Sequence, residues 1–208
     1  MSEEKELTFS IIQIGDSGVG KTSIFRRYVY NTFEDNTMST IGLQFSFKDV
    51  TLDNNITLKL KLLDTAGQEK YKSLSKSFFR NAHAALFVFA LNRMETFQHI
   101  TEWVELFKEN HDRVDKIPKY LIGNKSDLIK SREVDQKLID DLENQLGFKY
   151  FPTSALNNYN IDALFKDIAN TLYQAYKDDK NDKGQKSFKI KNKNKVVKSK
   201  CVLCKETV

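Results

Sequence analysis

Eight consecutive residues, Gly15-Asp16-Ser17-Gly18-Val19-Gly20-Lys21-Thr22, carry the most readable chemistry of this chain. They fit G-x-x-x-x-G-K-[ST], a pattern whose glycine-rich backbone wraps a di- or triphosphate with its N–H groups turned inward. The pattern needs a strand before it and a helix after it. Phe9-Ser10-Ile11-Ile12-Gln13-Ile14 reads as a buried strand, and Ser23-Ile24-Phe25-Arg26-Arg27-Tyr28 as a helix with its positive dipole end at the loop. Lys21 is then expected to reach the β- and γ-phosphates and the Thr22 hydroxyl to ligate Mg²⁺, with Ser23 in the phosphate-binding set. A glycine-rich turn with an accidental lysine would lack these flanks.

Two further clusters follow in chain order. Asp64-Thr65-Ala66-Gly67-Gln68-Glu69 comes directly after the apolar–polar alternation of Leu58 to Leu63. A carboxylate at that strand end can hold the Mg²⁺ ion, and Gly67, without a Cβ, lets its N–H approach a γ-phosphate. Gln68 is placed to orient an attacking water. Asn124-Lys125-Ser126-Asp127 follows the apolar run Tyr120-Leu121-Ile122-Gly123. An Asp carboxylate there accepts from the ring N–H and exocyclic amine of guanine, whereas adenine presents the wrong edge. Asn124 is expected on the acceptor edge of the base, with the Lys125 stem covering the ring. Taken alone, such a polar loop means little; third after the other two, it selects guanine.

The elements that must position these loops are legible in residue type. Gln44–Val50 and Ile56–Leu62 alternate apolar and polar residues around the turn Asp53-Asn54-Asn55, predicting an antiparallel hairpin. Ala84–Ala90 and Tyr120–Gly123 are continuous apolar runs, as central parallel strands require, and Phe148–Phe151 is a last strand stopped by Pro152. Helices are predicted over Phe97–Lys108, Asp135–Leu146 and Ile161–Tyr176. The expectation is an α/β domain: a mostly parallel six-stranded sheet with one antiparallel edge strand and helices on both faces. In such sheets ligands bind at the carboxyl ends of the strands, where all three clusters fall.

Bulk properties agree. The 208 residues suit one domain of ordinary size, residues 8–176, followed by a Lys-rich tail, residues 177–208. The net charge of +5 belongs to that tail, which holds eleven Lys against four acidic residues; the remainder is slightly acidic. No Arg/Lys patch interleaved with aromatics appears before the tail, which argues against nucleic-acid binding. The acidic opening Met1-Ser2-Glu3-Glu4 argues against a secretory signal, and no apolar run approaches the roughly 20 residues of a membrane span. Both cysteines, Cys201 and Cys204, lie in the last eight residues, so no core disulfide framework is expected and the cytosol is implied. The tail is expected to be disordered. His83, His99 and His111 show no ligand spacing and read as incidental.

From about Thr8 to Tyr176 the chain resembles a small GTPase of the Ras superfamily, a P-loop G domain. The resemblance implies a GTP/GDP switch with Mg²⁺. It matches Thr40, in Ser39-Thr40-Ile41-Gly42, to the threonine that ligates Mg²⁺ and senses the γ-phosphate. It matches Phe33 to the aromatic stacked on guanine, and Ser154-Ala155 to the loop whose backbone N–H reads the guanine oxygen. Catalysis then falls to Gln68, Lys21 and Thr40. Within the superfamily the chain is most similar to Rab proteins, on Ile41-Gly42-Leu43-Gln44-Phe45, Lys59 to Tyr71, and Phe78-Phe79-Arg80-Asn81-Ala82-His83. It departs from them at Leu63, where Rabs carry Trp, and at Leu156, where the last guanine loop carries Lys. Phe89-Ala90-Leu91-Asn92 is nearer the Ras branch.

The resemblance further implies a monomer that regulates vesicle trafficking. Its partners are a GTPase-activating protein, a nucleotide-exchange factor and effectors, and it divides between the cytosol and the cytoplasmic face of endomembranes. Phe45, Leu63, Tyr71 and Phe79 are expected to flank the effector surface, with ordinary core packing as the alternative for each. The loops Asn31–Gly42 and Asp64–Phe79 contain no Arg, so intrinsic turnover is expected to be slow. The tail is expected to tether the chain to anionic membrane with lipid at Cys201 and Cys204. However, its end, Cys201-Val202-Leu203-Cys204-Lys205-Glu206-Thr207-Val208, is neither a C-a-a-X box nor a terminal Cys-Cys or Cys-x-Cys. Three alternatives stand beside the Rab reading: a Ras-branch signalling GTPase, a GTP-binding scaffold with little turnover, and a P-loop kinase or ATPase.

Overall fold

A computed structural model describes residues 7–34, 43–65 and 78–196, with side chains over residues 7–34, 45–64 and 78–180. Six strands form one sheet: β1 (Thr8–Ile14), β2 (Leu43–Thr51), β3 (Thr57–Thr65), β4 (Ala84–Ala90), β5 (Lys119–Asn124) and β6 (Lys149–Pro152). Their spatial order is β2-β3-β1-β4-β5-β6, parallel throughout except β2, which runs antiparallel to β3 at one edge. The expected sheet is therefore the observed one. Pro152 is the last residue of β6 rather than its stop, which an edge strand tolerates because one side of its backbone needs no ladder donor.

The helices are α1 (Lys21–Tyr30), α2 (Met94–Gln98), α3 (Ile100–Asn110), α4 (Gln136–Leu146) and α5 (Ile161–Val196). The single helix expected over Phe97–Lys108 is two, meeting at His99, whose N–H bonds the Glu95 carbonyl and whose carbonyl accepts from the Trp103 N–H, both at 3.1 Å. All seven residues of β4 are buried, as its unbroken apolar run requires. One sheet face carries Ile12, Ile14, Phe87 and Phe89 against Phe97, Ile100, Val104, Phe107, Ile139 and Leu142. On α1 and α5, Tyr28 and Phe165 stack at 3.8 Å, and the Tyr120 hydroxyl of β5 bonds Asp167 of α5 at 3.0 Å. Each fully buried side chain of this kind contributes roughly 1.5–3 kcal/mol.

Leu63 and Phe79 lie in this core, 4% and 2% exposed, with Phe79 edge-on to Phe107. The core alternative therefore holds for both. Phe45 is different: with Phe47 it is exposed on β2, and the Lys61 ammonium sits 4.6 Å from its ring centre. Tyr71 lies outside the described residues.

The chain divides into two units, Met1–Leu172 and Tyr173–Val208. Helix α5 continues past Tyr176 to Val196, where the sequence reading placed an unstructured tail. The stretch has no Pro and a single Gly, and Lys is a good helix former. Within the second unit, Lys177 lies over the Tyr173 ring and Lys180 over Tyr176, the spacings one helical turn brings together. Among the described residues no helix is long and apolar enough to cross a membrane.

Candidate functional site

The phosphate loop joins β1 to α1 at the carboxyl edge of the sheet. Gly15 has φ +146°, and a Cβ there would lie 2.1 Å from the Val88 carbonyl oxygen of the neighbouring strand, a clash with backbone. Gly20 caps α1 in the left-handed conformation at φ +96°, and its Cβ would meet the Asn124 side-chain nitrogen at 2.3 Å. Both positions thus need glycine for conformation and for space.

Lys21, the first residue of α1, is 4% exposed. Its ammonium donates to the carbonyls of Gly15 at 2.8 Å and Asp16 at 2.7 Å. Burial pulls its pKa down to about 8 against the opposing pull of Asp64 and Asp16. A buried cation at a helix N-terminus with no acidic residue in its first turn is a site for an anion.

Asp64, near the end of β3, is fully buried, and among the described residues neither carboxylate oxygen has a hydrogen-bond partner at ordinary distance and angle. Burial raises its pKa; the Thr22 hydroxyl and the Lys21 and Arg26 cations offset part of that. An orphaned buried carboxylate beside a threonine hydroxyl fits a divalent cation, which would supply the missing partner.

The base end is built from β5 and the loop after β6. Asn124 is 2% exposed; its amide donates to the Val19 carbonyl at 2.9 Å and its oxygen accepts from the Thr153 hydroxyl at 3.3 Å. The structure therefore gives this side chain a task the sequence reading did not foresee, fastening β5 to the phosphate loop. Lys125 takes the left-handed conformation at φ 64°, and burial lowers its pKa, with Arg93 adding and Asp127 opposing. One Asp127 oxygen accepts from the Ser154 hydroxyl at 2.5 Å, leaving lone pairs on the carboxylate for further donors. Ala155 is buried and Leu156 half-exposed.

These loops surround one cavity of about 410 Å³. Gly18, Gly20 and Ser23 line its phosphate end, and Asn124, Lys125, Asp127, Ala155 and Leu156 its base end, with Phe33 completing the wall. A second cavity of about 240 Å³ lies on the far side of Asp16, among Glu102, Glu105 and Glu109, whose charges exclude a polyphosphate.

Thr40, Gly67, Gln68, Cys201 and Cys204 lie outside the described residues. Asp16 does not offer its carboxylate to the cavity: one oxygen pairs with His99 Nδ1 and the other accepts from Trp103 Nε1, both at 2.7 Å. His99 is consequently not incidental; it anchors the phosphate loop from α3's N-terminal end. The other two histidines also have work. His83 Nδ1 accepts from the Ser10 N–H, and His111 Nδ1 accepts from the Arg113 N–H, which leaves His111 Nε2 to donate to the Ala82 carbonyl. Sequence reasoning also missed Arg93, which donates to the Ser17 carbonyl at 3.3 Å, and Arg27, which donates to the carbonyls of Ala155 and Leu156. Arg27 stands one helical turn after the phosphate-loop motif, a weak sequence signal, and Arg93, just before α2 and far from any motif, offered none.

Residues 10–174 match the sequence pattern of the Ras family. The chain is similar to the Ras-related protein Rab-11B of Dictyostelium discoideum, 38% identical over 82% of this chain and 76% of that one. It is similar to Rab-1 of Theileria parva at 37% over the same shares, and to human Rab-15 at 33% over 85% and 82%.

Proposed function

The chain belongs to the Ras family as a Rab-type GTPase, a switch of vesicle trafficking that hydrolyses GTP to GDP, and from that premise we propose how its residues carry the work. The observation that supports the reading is the shared cavity: Gly18, Gly20 and Ser23 of the phosphate loop at one end, the Asp127 carboxylate at the other, and loops from three separate strands around it.

Lys21 and the inward N–H groups of residues 15–23 hold the polyphosphate, Phe33 and Lys125 cover the guanine faces, and the Ala155 N–H meets the guanine oxygen. Asp127 accepts from the ring N–H and exocyclic amine, a bond whose loss costs a competing base roughly 10⁴–10⁵-fold. Thr22, Thr40 and Asp64 would hold Mg²⁺, and the chemistry that ion would supply is positive charge beside the phosphates. Gln68 orients the water, and Thr40 and Gly67 sense the γ-phosphate, ordering their loops until hydrolysis releases them. An activating protein then raises turnover on the order of 10³–10⁵-fold. The chain works as a monomer with exchange factor and effectors, without nucleic acid. Its tail holds it to the cytoplasmic face of endomembranes through lipid on Cys201 and Cys204, since a single lipid chain binds only weakly.

Neither a Ras-branch role nor an idle scaffold is favoured by relatives that are all Rab proteins. Single-turnover hydrolysis with Gln68→Leu tests the catalytic assignment: the GTP form should persist, and hydrolysis at the parent rate overturns the role of Gln68. Competition between GDP and ADP in magnesium buffer tests the base site; equal binding overturns it.

A further inference from the structure

We propose that Arg27 is a positioning residue for base recognition, holding the loop of Ala155 and Leu156 against helix α1 in the orientation guanine requires. This rests on the assignment of that loop to the base in the preceding subsection.

Arg27 is half-buried, one turn before the end of α1. Nε donates to the Ala155 carbonyl at 2.8 Å and Nη2 to the Leu156 carbonyl at 3.1 Å, so one planar edge of the guanidinium grips two successive peptides. Nη1 turns the other way, to the carbonyl and side-chain oxygen of Asn31 at 3.2 and 3.1 Å. Asn31 closes α1 in the left-handed conformation, two residues before Phe33. One side chain therefore registers both walls of the base end of the cavity, Phe33 on one side and Ala155-Leu156 on the other.

Ser154 is pinned at the start of the loop by its pairing with Tyr159 and its bond to Asp127, and Ala155 is buried, but the chain beyond them is held less by packing. Leu156 is 46% exposed, and Asn158 and Asn160 take positive φ in the turn that follows. A trans peptide sets its N–H opposite the preceding C=O, so drawing the Ala155 carbonyl to Arg27 fixes the Leu156 N–H on that plane and anchors the C-terminal side of Ala155, whose own N–H is the one assigned to the base. Charged donors on carbonyls are among the stronger hydrogen bonds. The guanidinium thus acts on the guanine site without touching the nucleotide.

The test uses the full chain in magnesium buffer, with GDP release measured for the parent and for Arg27→Met. Release should accelerate roughly tenfold, the loss of ~1.4 kcal/mol. Because the loop serves the base and not the phosphates, the preference for GDP over ADP should fall by about the same factor. Release at the parent rate, or equal weakening of GDP and ADP, overturns the proposal. A parent that shows no preference for GDP defeats the base-site reading instead. Should Arg27→Met not fold, Arg27→Gln, which is too short to span both carbonyls, is read by the same ratio.

Discussion

Asn124 is the residue on which the base site and the phosphate loop depend together, so removing it should be felt before any nucleotide arrives. In Asn124→Ala the Val19 carbonyl, belonging to a residue with no exposed surface, loses its 2.9 Å donor. Leaving a buried acceptor unpaired costs about 1–3 kcal/mol. The Thr153 bond is longer, at 3.3 Å, so Thr153→Val, which leaves the buried Asn124 oxygen unpaired, should cost about 1 kcal/mol, the low end of that range. The expected loss for Asn124→Ala is thus about 2 kcal/mol in the nucleotide-free protein. With a urea slope of about 2 kcal/mol/M the midpoint drops by about 1 M. Trp103, the only tryptophan, is bonded to Asp16 of the phosphate loop and reports the transition by its fluorescence. GDP affinity should fall roughly 30-fold if the whole loss reappears in binding. An unchanged midpoint combined with lost GDP affinity would refute the tie and restore a purely base-contacting role.

Lys21 makes stability and affinity run in opposite directions with pH. The unfolded chain keeps this proton to about pH 10.5 and the folded, empty protein only to about 8, so stability of the empty protein should rise between those values. GDP favours the ammonium; its affinity should be flat below pH 8 and fall by up to about tenfold per unit above, a slope that Lys21→Met removes. Titration calorimetry and urea midpoints from pH 7 to 10 check both, and parallel trends would contradict the buried-cation reading. His99 titrates the other way, its pKa raised first by the hydrogen bond to Asp16; burial, the next effect in size, opposes this, and the charges of Asp16, Glu102 and Glu95 add to the rise. Its contribution is complete below pH 6.5 and is lost as pH rises through the raised folded value. His99→Gln should therefore destabilise by about 1 kcal/mol or less at pH 6, with the gap closing by pH 9. A pH-independent gap would mean the imidazole is neutral throughout.

What could be read from the sequence was whatever lies in consecutive residues. The phosphate loop is eight residues whose backbone does the binding, and β4 is seven apolar residues in a row, so each declares itself locally. Contacts made by single side chains across the fold did not. Asp16 and Trp103 are 87 positions apart, and Arg27 and Leu156 are 129. Nothing in either segment marks its partner, because hydrogen-bond geometry is created only when the sheet brings the strand ends together. Leu63 and Phe79 stayed open between surface and core for a related reason: an apolar residue beside a polar motif looks the same in sequence whether it faces water or a core ring such as Phe107. The extent of α5 was missed because charge suggested solvation, whereas a Lys-rich run without Pro loses little on becoming helical.

An ammonium has three protons to give, and Lys21 commits two of them to carbonyls of its own loop. The third is aimed by the other two, much as two legs fix the direction of a tripod's last one. A phosphate oxygen lying along that third direction would meet a donor without either existing bond having to break. Holding the ammonium in this way leaves less side-chain freedom for a bound phosphate to remove.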